Sequence, residues 1–456
     1  MERKIKEKVG KEEVIPEGYK KTVVGVIPVE WEVEKLISLF PKIRNGFVGT
    51  ATPFYVEKGV KYLQGKNIKN GKIISDDMVY VSEEFHKKNQ KSKLSLGDIV
   101  MVQSGHVGEC AVINEEYENS NCHALIIMTP TSNINSYYYS YLFNSSYGNK
   151  LIHKIITGNT VEHILASDIS RLRVPVPSFS EQQKIANILS TWDKAIELKE
   201  KLIEQKKEQK KGLMQRLLTG KIRWNDGSKF SWREIKKRLE MISQGKVPEG
   251  YHKTQIGIIP LEWRVKRLKD ISKRVQREND GNDHPVLTIS SLAGFLNQNE
   301  RFSKVIAGEN LSKYILLFKN EFAYNKGNSK TYPYGCVFRL EDYDRALVPN
   351  VYYCFEIVNG LSEFYKHYFL AGMLNKPLSR VINTGVRNDG LLNLNFDDFF
   401  SLPIIVPPLV EQERIANILT TADKEIQQLE RELEALKQQK KGLMQLLLTG
   451  KVRVKC

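Results

Sequence analysis

The sequence predicts an α+β chain written twice: two mixed α/β domains, separated by two long helices that pair as an antiparallel coiled coil, with an internal pseudo-twofold repeat. Two self-matches and a shared heptad stripe carry that prediction. PEGYKKTVVGVIPVEWEVEKL (16–36) returns as PEGYHKTQIGIIPLEWRVKRL (248–268). EQQKIANILSTWDKAIELKEKLIEQKKEQKKGLMQRLLTGKIR, from Glu181, returns as EQERIANILTTADKEIQQLERELEALKQQKKGLMQLLLTGKVR, from Glu411. Self-similarity at a near-constant offset marks a repeated structural unit. The boundaries read as a first domain at 1–177, a helix at 178–220, a connector at 221–247, a second domain at 248–407 and a second helix at 408–456.

Inside each domain the copies share a skeleton. LGDIVMVQSG (96–105) matches FKNEFAYNKG (318–327), an alternating run that predicts a strand ending in a polar turn closed by glycine. SYYYSYLF from Ser136 and SEFYKHYF from Ser362 predict amphipathic helices, with Tyr139, Phe143, Tyr365 and Phe369 as core residues and not base-stacking platforms. TGNT from Thr157 then pairs with TGVRN from Thr384, and VPVP (174–177) with IVPP (405–408), just before each long helix.

The helices follow. Ile185, Leu189, Trp192, Ile196, Lys199, Ile203, Lys206, Lys210, Leu213 and Leu217 step by four and three, as do Ile415, Leu419, Ala422, Ile426, Leu429, Leu433, Leu436, Lys440, Leu443 and Leu447. That is the seam of a coiled coil. Equal length and register predict that the helices pair with each other, antiparallel, one domain at each end. Some 38 residues would span about 57 Å, the length of a spacer. Three lysines loosen the middle of the first seam and leave their heads free to reach solvent. Ser180 with Gln183 reads as a capping box, Gly220 and Gly450 as left-handed helix stops, and the matched Gly212 and Gly442 as points of close helix approach. In the connector, WREIKKRL from Trp232 echoes WRVKRL from Trp263, as if an opening strand were written a second time, either a trace of fusion between half-length units or a chance likeness.

Composition bounds the function. The 456 residues suit two to four domains, and 41% hydrophobic with 27% charged residues suits a globular chain. Lys plus Arg exceed Asp plus Glu by 69 to 53, a net +16 that fits a surface neutralising phosphates. Five scattered cysteines without a C-x-x-C pair argue against disulfides or a cysteine zinc site and for a reducing compartment. The opening MERKIKEKVGKEEV has no apolar core, and no apolar run approaches the roughly 18 residues of a membrane span, so a cytoplasmic protein is expected.

Catalytic patterns are missing. GKNIKNGK, from Gly65, spaces its glycines one residue too far for a phosphate loop and puts Ile73 where a magnesium-binding hydroxyl belongs. The eight histidines have no metal-ligand spacing, there is no Asn-Pro-Pro-aromatic run, and Asp76-Asp77 and Asp397-Asp398 are adjacent pairs suited to solvated turns. The expectation is a non-catalytic chain with no metal or cofactor of its own.

The two copies of EQ-x-x-IANIL-x-T-x-DK…KKGLM-x-x-LLTGK, the proline-rich approach to each and the paired skeletons resemble the specificity subunit of type I restriction-modification systems over nearly the whole chain. The resemblance implies a DNA-binding, host-defence role in which each recognition domain reads half of a bipartite double-stranded target and the helices set the gap. It implies two methyltransferase subunits, carrying S-adenosylmethionine, and two restriction-translocase subunits that use ATP and magnesium. A specificity subunit of a type II system cutting on both sides of its site shares such helices, and a coiled-coil scaffold is the reading from another class. The candidate DNA-binding residues are Lys61, Gln64, Lys66, Asn67, Gln103, Ser104, His106, Asn159 and Thr160 in the first domain, and Asn325, Lys326, Asn328, Lys330, Arg387 and Asn388 in the second. Gln103-Ser104-Gly105-His106 stands opposite Asn325-Lys326-Gly327-Asn328, and Asn159-Thr160 opposite Arg387-Asn388. Gln and Asn suit adenine, Lys and Arg suit guanine. Gly105, Gly158, Gly327 and Gly385 are read as permitting the turns.

Overall fold

The computed structural model describes residues 15–156, 162–223, 231–291, 293–298, 311–327, 332–382 and 392–455. The chain forms two compact units, one of residues 1–200 with 431–456 and one of 201–430, so that each long helix contributes half its length to each unit.

In the first unit, a hairpin pairs Tyr19–Thr22 with Gly25–Pro28, and Glu32–Lys35 pairs antiparallel with Arg173–Val176, bringing the two ends of the domain together. The central sheet runs Cys110–Val112, Ile99–Val102, Leu125–Thr129, Lys42–Asn45, all antiparallel. Alternation along Ile99–Val102 is present but hidden, because both faces are covered. Ile99 and Met101 join the core shared with the long helices, while Val100 and Val102 join a second core beneath the other sheet face. The helix Ser136–Asn144 buries Tyr139 and Phe143 in the first of these, as the sequence predicts.

The second unit repeats the plan: a hairpin of Tyr251–Thr254 with Gly257–Pro260, Arg264–Arg267 paired with Pro403–Val406, and a sheet ordered Ser272–Arg274, Tyr353–Ile357, Phe322–Asn325, Cys336–Arg339. Phe322 and Tyr324 face the helix core, Ala323 the other. Tyr365 and Phe369 are again buried, on the helix Ser362–Leu370.

The long helices are Phe179–Leu217 and Leu409–Leu448. Within the first unit the start of one meets the end of the other, with Ile185 and Leu189 in one core with Leu443, Leu447 and Leu448. Ion pairs Lys199–Glu432 (2.8 Å), Lys437–Glu200 (2.7 Å) and Lys440–Asp193 (2.6 Å) run across that pair. Within the second unit, Leu217 shares a core with Ile415 and Leu419, and Lys206–Glu425 (2.6 Å), Lys207–Glu430 (2.7 Å) and Lys210–Asp423 cross. The pairing is antiparallel in both. Trp192, Ile196, Leu429, Leu433, Leu436 and Leu443 are half-buried, and Ile203 and Ile426 buried, along the expected stripe. The seam lysines Lys199, Lys206 and Lys210 are ion-paired to the opposing helix and do not hang free. Such partly exposed pairs contribute little energy, about 0–1 kcal/mol each, and their opposite signs fit this register.

Four local expectations are corrected. Leu213 is 39% exposed and its neighbour Met214 takes the buried position. No atom lies within 4 Å of a side chain added at Gly212 or Gly442, so these glycines mark no close approach. The first long helix begins one residue earlier than its proposed cap, and Ser178 Oγ, not Ser180, accepts from Glu181 N at 3.3 Å. WREIKKRL forms no strand. It opens the helix Trp232–Ser243, because Ser231 and Glu234 make a reciprocal cap and Ile235 and Ile242 recur at helical spacing; its echo, Arg264–Arg267, is a strand.

The repeated motifs build the joint between each domain and its helices. Gln182 Oε1 accepts from Asn135 N (3.0 Å) and its Nε2 donates to Pro177 O (3.0 Å). Gln412 does the same with Leu361 N and Pro407 O, at 2.8 Å each. Glu181 accepts from Arg453 Nε (2.7 Å) and Trp31 Nε1 (2.9 Å), while Glu411 takes Arg223. Gly450 and Gly220 stop the helices at φ +69° and +68°, as expected, and any Cβ there would meet Pro28 or Pro260 at about 2.5 Å. Tyr19 and Tyr251 donate to the carbonyls of these same glycines, at 2.9 and 2.7 Å. The EQ, TGK-x-R, PEGY and IP-x-EW motifs thus specify one joint, made twice.

Candidate nucleic-acid interface

In the first unit three segments converge. The strand Ile99–Val102 runs into a turn at Gln103–Gly105 whose Gly105 has φ +88°. Ile164 N donates to Gln103 O (3.0 Å), and Ser104 Oγ lies 2.6 Å from His163 Nδ1. His106 Nε2 donates to Gly65 O (3.2 Å) and Ile68 O (3.3 Å), which clamps the turn to the segment 64–68. The decoy phosphate loop is therefore a short 3-10 turn, Gly65–Asn67, followed by the hairpin Ile68–Lys69 with Lys72–Ile73. Lys66 is exposed beside it, Ser104 and His106 are exposed, and Gln103 is half-buried with no side-chain hydrogen bond among the described residues.

Other first-domain candidates have structural work. Asn67 is fully buried; its Oδ1 accepts from Gln64 N (3.0 Å) and its Nδ2 donates to Ile74 O (3.1 Å), so it closes the turn and cannot face a base. Gln64 Nε2 donates to Tyr55 OH at 3.0 Å. Lys61 pairs with Glu116 Oε1 (2.9 Å) and lies over the Tyr117 ring; that hydrogen bond holds the Glu116 carboxyl below the usual carboxylate range.

In the second unit Asn325 Oδ1 accepts from Gly327 N (2.9 Å), so the side chain closes the turn itself and Gly327 keeps an ordinary φ. Lys326 lies over the Tyr353 ring at 4.8 Å, and Leu392 N donates to Lys326 O at 3.1 Å. Asn159, Thr160, Asn328, Lys330, Arg387 and Asn388, with Gly158 and Gly385, lie outside the described residues.

The two turns correspond with a shift of one from the sequence match. Asp98 and Glu321 precede the equivalent strands, each accepting from the amide three residues back (Ser95, 3.0 Å; Phe318, 2.7 Å) and each paired with an arginine, Arg44 or Arg277. Strand registers and the Gln103 and Lys326 carbonyl bonds agree. Gln103 is thus opposite Lys326, not Asn325. Sequence alignment of divergent strands tolerates such a slip, but a pleated strand does not, since one residue reverses every side chain. His163 and Tyr353, the neighbours that shape these turns, were missed in the sequence because each is distant along the chain from the turn it touches.

Among the described residues, no group of three His, Cys, Asp or Glu is arranged to hold a metal ion, and no helix is long and apolar enough to cross a membrane. A family model described as the type I restriction modification DNA specificity domain matches twice, at residues 28–207 and 260–438. The chain belongs to the type I restriction-modification DNA specificity family. Two matches in one chain agree with the duplicated fold. Relatives of this family include the type I restriction enzyme MjaIX specificity subunit of Methanocaldococcus jannaschii, 25% identical with 96% of both chains covered. The EcoKI specificity subunit of Escherichia coli is 23% identical over 86% of this chain and 82% of that one. A crystal structure of a type I restriction-modification system S subunit from M. genitalium superimposes with a TM-score of 0.50 at 15% identity, covering 91% of this chain and 96% of the other. These matches favour a type I specificity subunit over the type II and scaffold readings.

Proposed function

We propose that the two units read the two halves of a bipartite DNA target, with the long helices setting the number of unread base pairs between them. The observation that carries this reading is the pair of equivalent turns. One scaffold presents Gln103 in the first unit and Lys326 in the second, at a position fixed in both by a hydrogen bond to the residue's own carbonyl. Glutamine matches the donor-acceptor edge of adenine and lysine the acceptors of guanine. A duplicated reader with different side chains suits two different half-sites.

The chain acts as a non-catalytic subunit in the cytoplasm. Methylation of adenine is the work of two methyltransferase subunits that bind S-adenosylmethionine, and cleavage that of two restriction-translocase subunits using ATP and magnesium. Mapping methylated adenines across a genome that carries this chain with its methyltransferase is the test. The expected result is a two-part motif with a fixed run of unspecified bases; a continuous motif would contradict the reading. In the assembled methyltransferase, each altered base pair in either half should cost about 1–3 kcal/mol of binding.

A further inference from the structure

The helix Trp232–Ser243 lies between the two family matches, which end at residue 207 and resume at 260. It is a built element and not a slack linker. Ser231 Oγ accepts from Glu234 N, Glu234 in return accepts from Ser231 N at 2.7 Å, and Ile235 and Ile242 are buried. Arg238 lies over the Tyr251 ring at 5.5 Å, seating the helix on the hairpin that opens the second domain.

Its outer face is basic and carries an uncovered aromatic ring. Arg233, Lys236 and Lys237 are exposed and make no ion pair with any described residue. On the long helices Lys206, Lys207, Lys210 and Lys211 have carboxylate partners, whereas Lys194, Lys424 and Lys441 are exposed without one among the described residues. Glu234 is committed to the cap, which leaves Glu240 as the one acid at the spacing of the basic face. Beside Arg233, the first helical residue Trp232 is 76% exposed, the most exposed of the large hydrophobic side chains among the described residues. Unpaired cations next to an uncovered aromatic ring match a polyanion that also offers sugar and base surfaces, which is nucleic acid.

We propose that this helix is a sequence-independent clamp on the DNA backbone, with Arg233, Lys236 and Lys237 on phosphates and Trp232 against the sugar-base surface. The inference rests on the chain being a DNA-recognition subunit. An acidic face of a protein subunit is the competing occupant.

The test uses the full chain in its methyltransferase complex and a labelled duplex of random sequence, with affinity followed against salt. The triple variant R233Q/K236Q/K237Q should lower the slope of log affinity against log salt by roughly 2–3, since each phosphate contact contributes about 0.9. Affinity near 0.1 M salt should then fall by roughly ten-fold or more, while the methylated motif stays the same. Trp232→Ala should weaken binding with the slope unchanged. An unaltered slope in the triple variant would overturn the clamp and leave the DNA-recognition reading standing, as would an unaltered slope accompanied by loss of the methyltransferase subunits. A wild-type complex that binds no duplex would instead overturn the DNA-recognition reading.

Discussion

Where the first domain meets its long helices, Tyr141 donates to Asp193 Oδ2 at 2.7 Å, and Lys440 pairs with the same carboxylate. At the equivalent place in the second unit, His367 stands in for the tyrosine, Asp423 for Asp193 and Lys210 for Lys440. His367 Nε2 donates to Thr420 Oγ1 (3.0 Å), whose hydroxyl donates in turn to Glu363 Oε1 (2.9 Å), while Nδ1 lacks a hydrogen bond and faces Asp423 at 3.8 Å. One joint therefore comes in two versions, one closed by a hydroxyl that stays neutral over the whole working range and one by a group that can take a proton. The repeated residues define the frame, and positions outside the repeat are free to change the chemistry inside it.

The glutamates at the helix starts break the comparison most strongly. Glu181 serves both Arg453 and the buried Trp31 indole, whereas the Trp263 indole has no hydrogen-bond partner among the described residues and Glu411 serves Arg223. Glu181→Ala should cost about 1 kcal/mol more than Glu411→Ala, because only the first also strands an indole N–H, while Arg453 and Arg223 keep Glu30 and Glu262 as partners. Urea unfolding of the two variants measures the gap; equal losses would mean that the indole bond adds nothing.

A pH dependence comes next. Burial, opposed by Asp423 and Glu363 and assisted by Lys210 and Lys366, pushes His367 down to about 4. The folded form then stays neutral where the unfolded form, near 6.5, binds a proton. Stability from this group is complete above about pH 6.5 and is lost as pH falls toward 4. Hydrogen exchange at about pH 5, between those two values, should show the helix Ser362–Leu370 opening more readily than near neutral pH, while Ser136–Asn144 in the first unit changes less. His367→Tyr, which copies Tyr141, should remove that difference.

The smallest effect sits at the matched glycines. With no atom within 4 Å of either added methyl, Gly212→Ala and Gly442→Ala should each stabilise by about 1 kcal/mol in thermal unfolding. Destabilisation at either would show that the helices need the freedom of glycine there.

Most of the frame could be read from residues alone. Period-seven stripes and a repeat of this length leave few alternatives to paired helices and duplicated domains, and Tyr139 and Tyr365 declared themselves as core by their spacing to Phe143 and Phe369. The candidate loops were harder. Asn67 looks like a base-reading amide until its burial shows both ends of the side chain holding the turn, and the Gln103–Lys326 correspondence depends on hydrogen bonds to Ile164 and Leu392, far along the chain. WREIKKRL failed for a local reason: similar residues form a strand or a helix according to the cap in front of them.

The central claim is that the repeated joints hold two independent readers. Exchanging residues 37–173 for the matching segment of another specificity subunit, then mapping methylated adenines, tests it most directly. The expected motif changes in one half while the other half and the gap persist. A motif altered in both halves would contradict it.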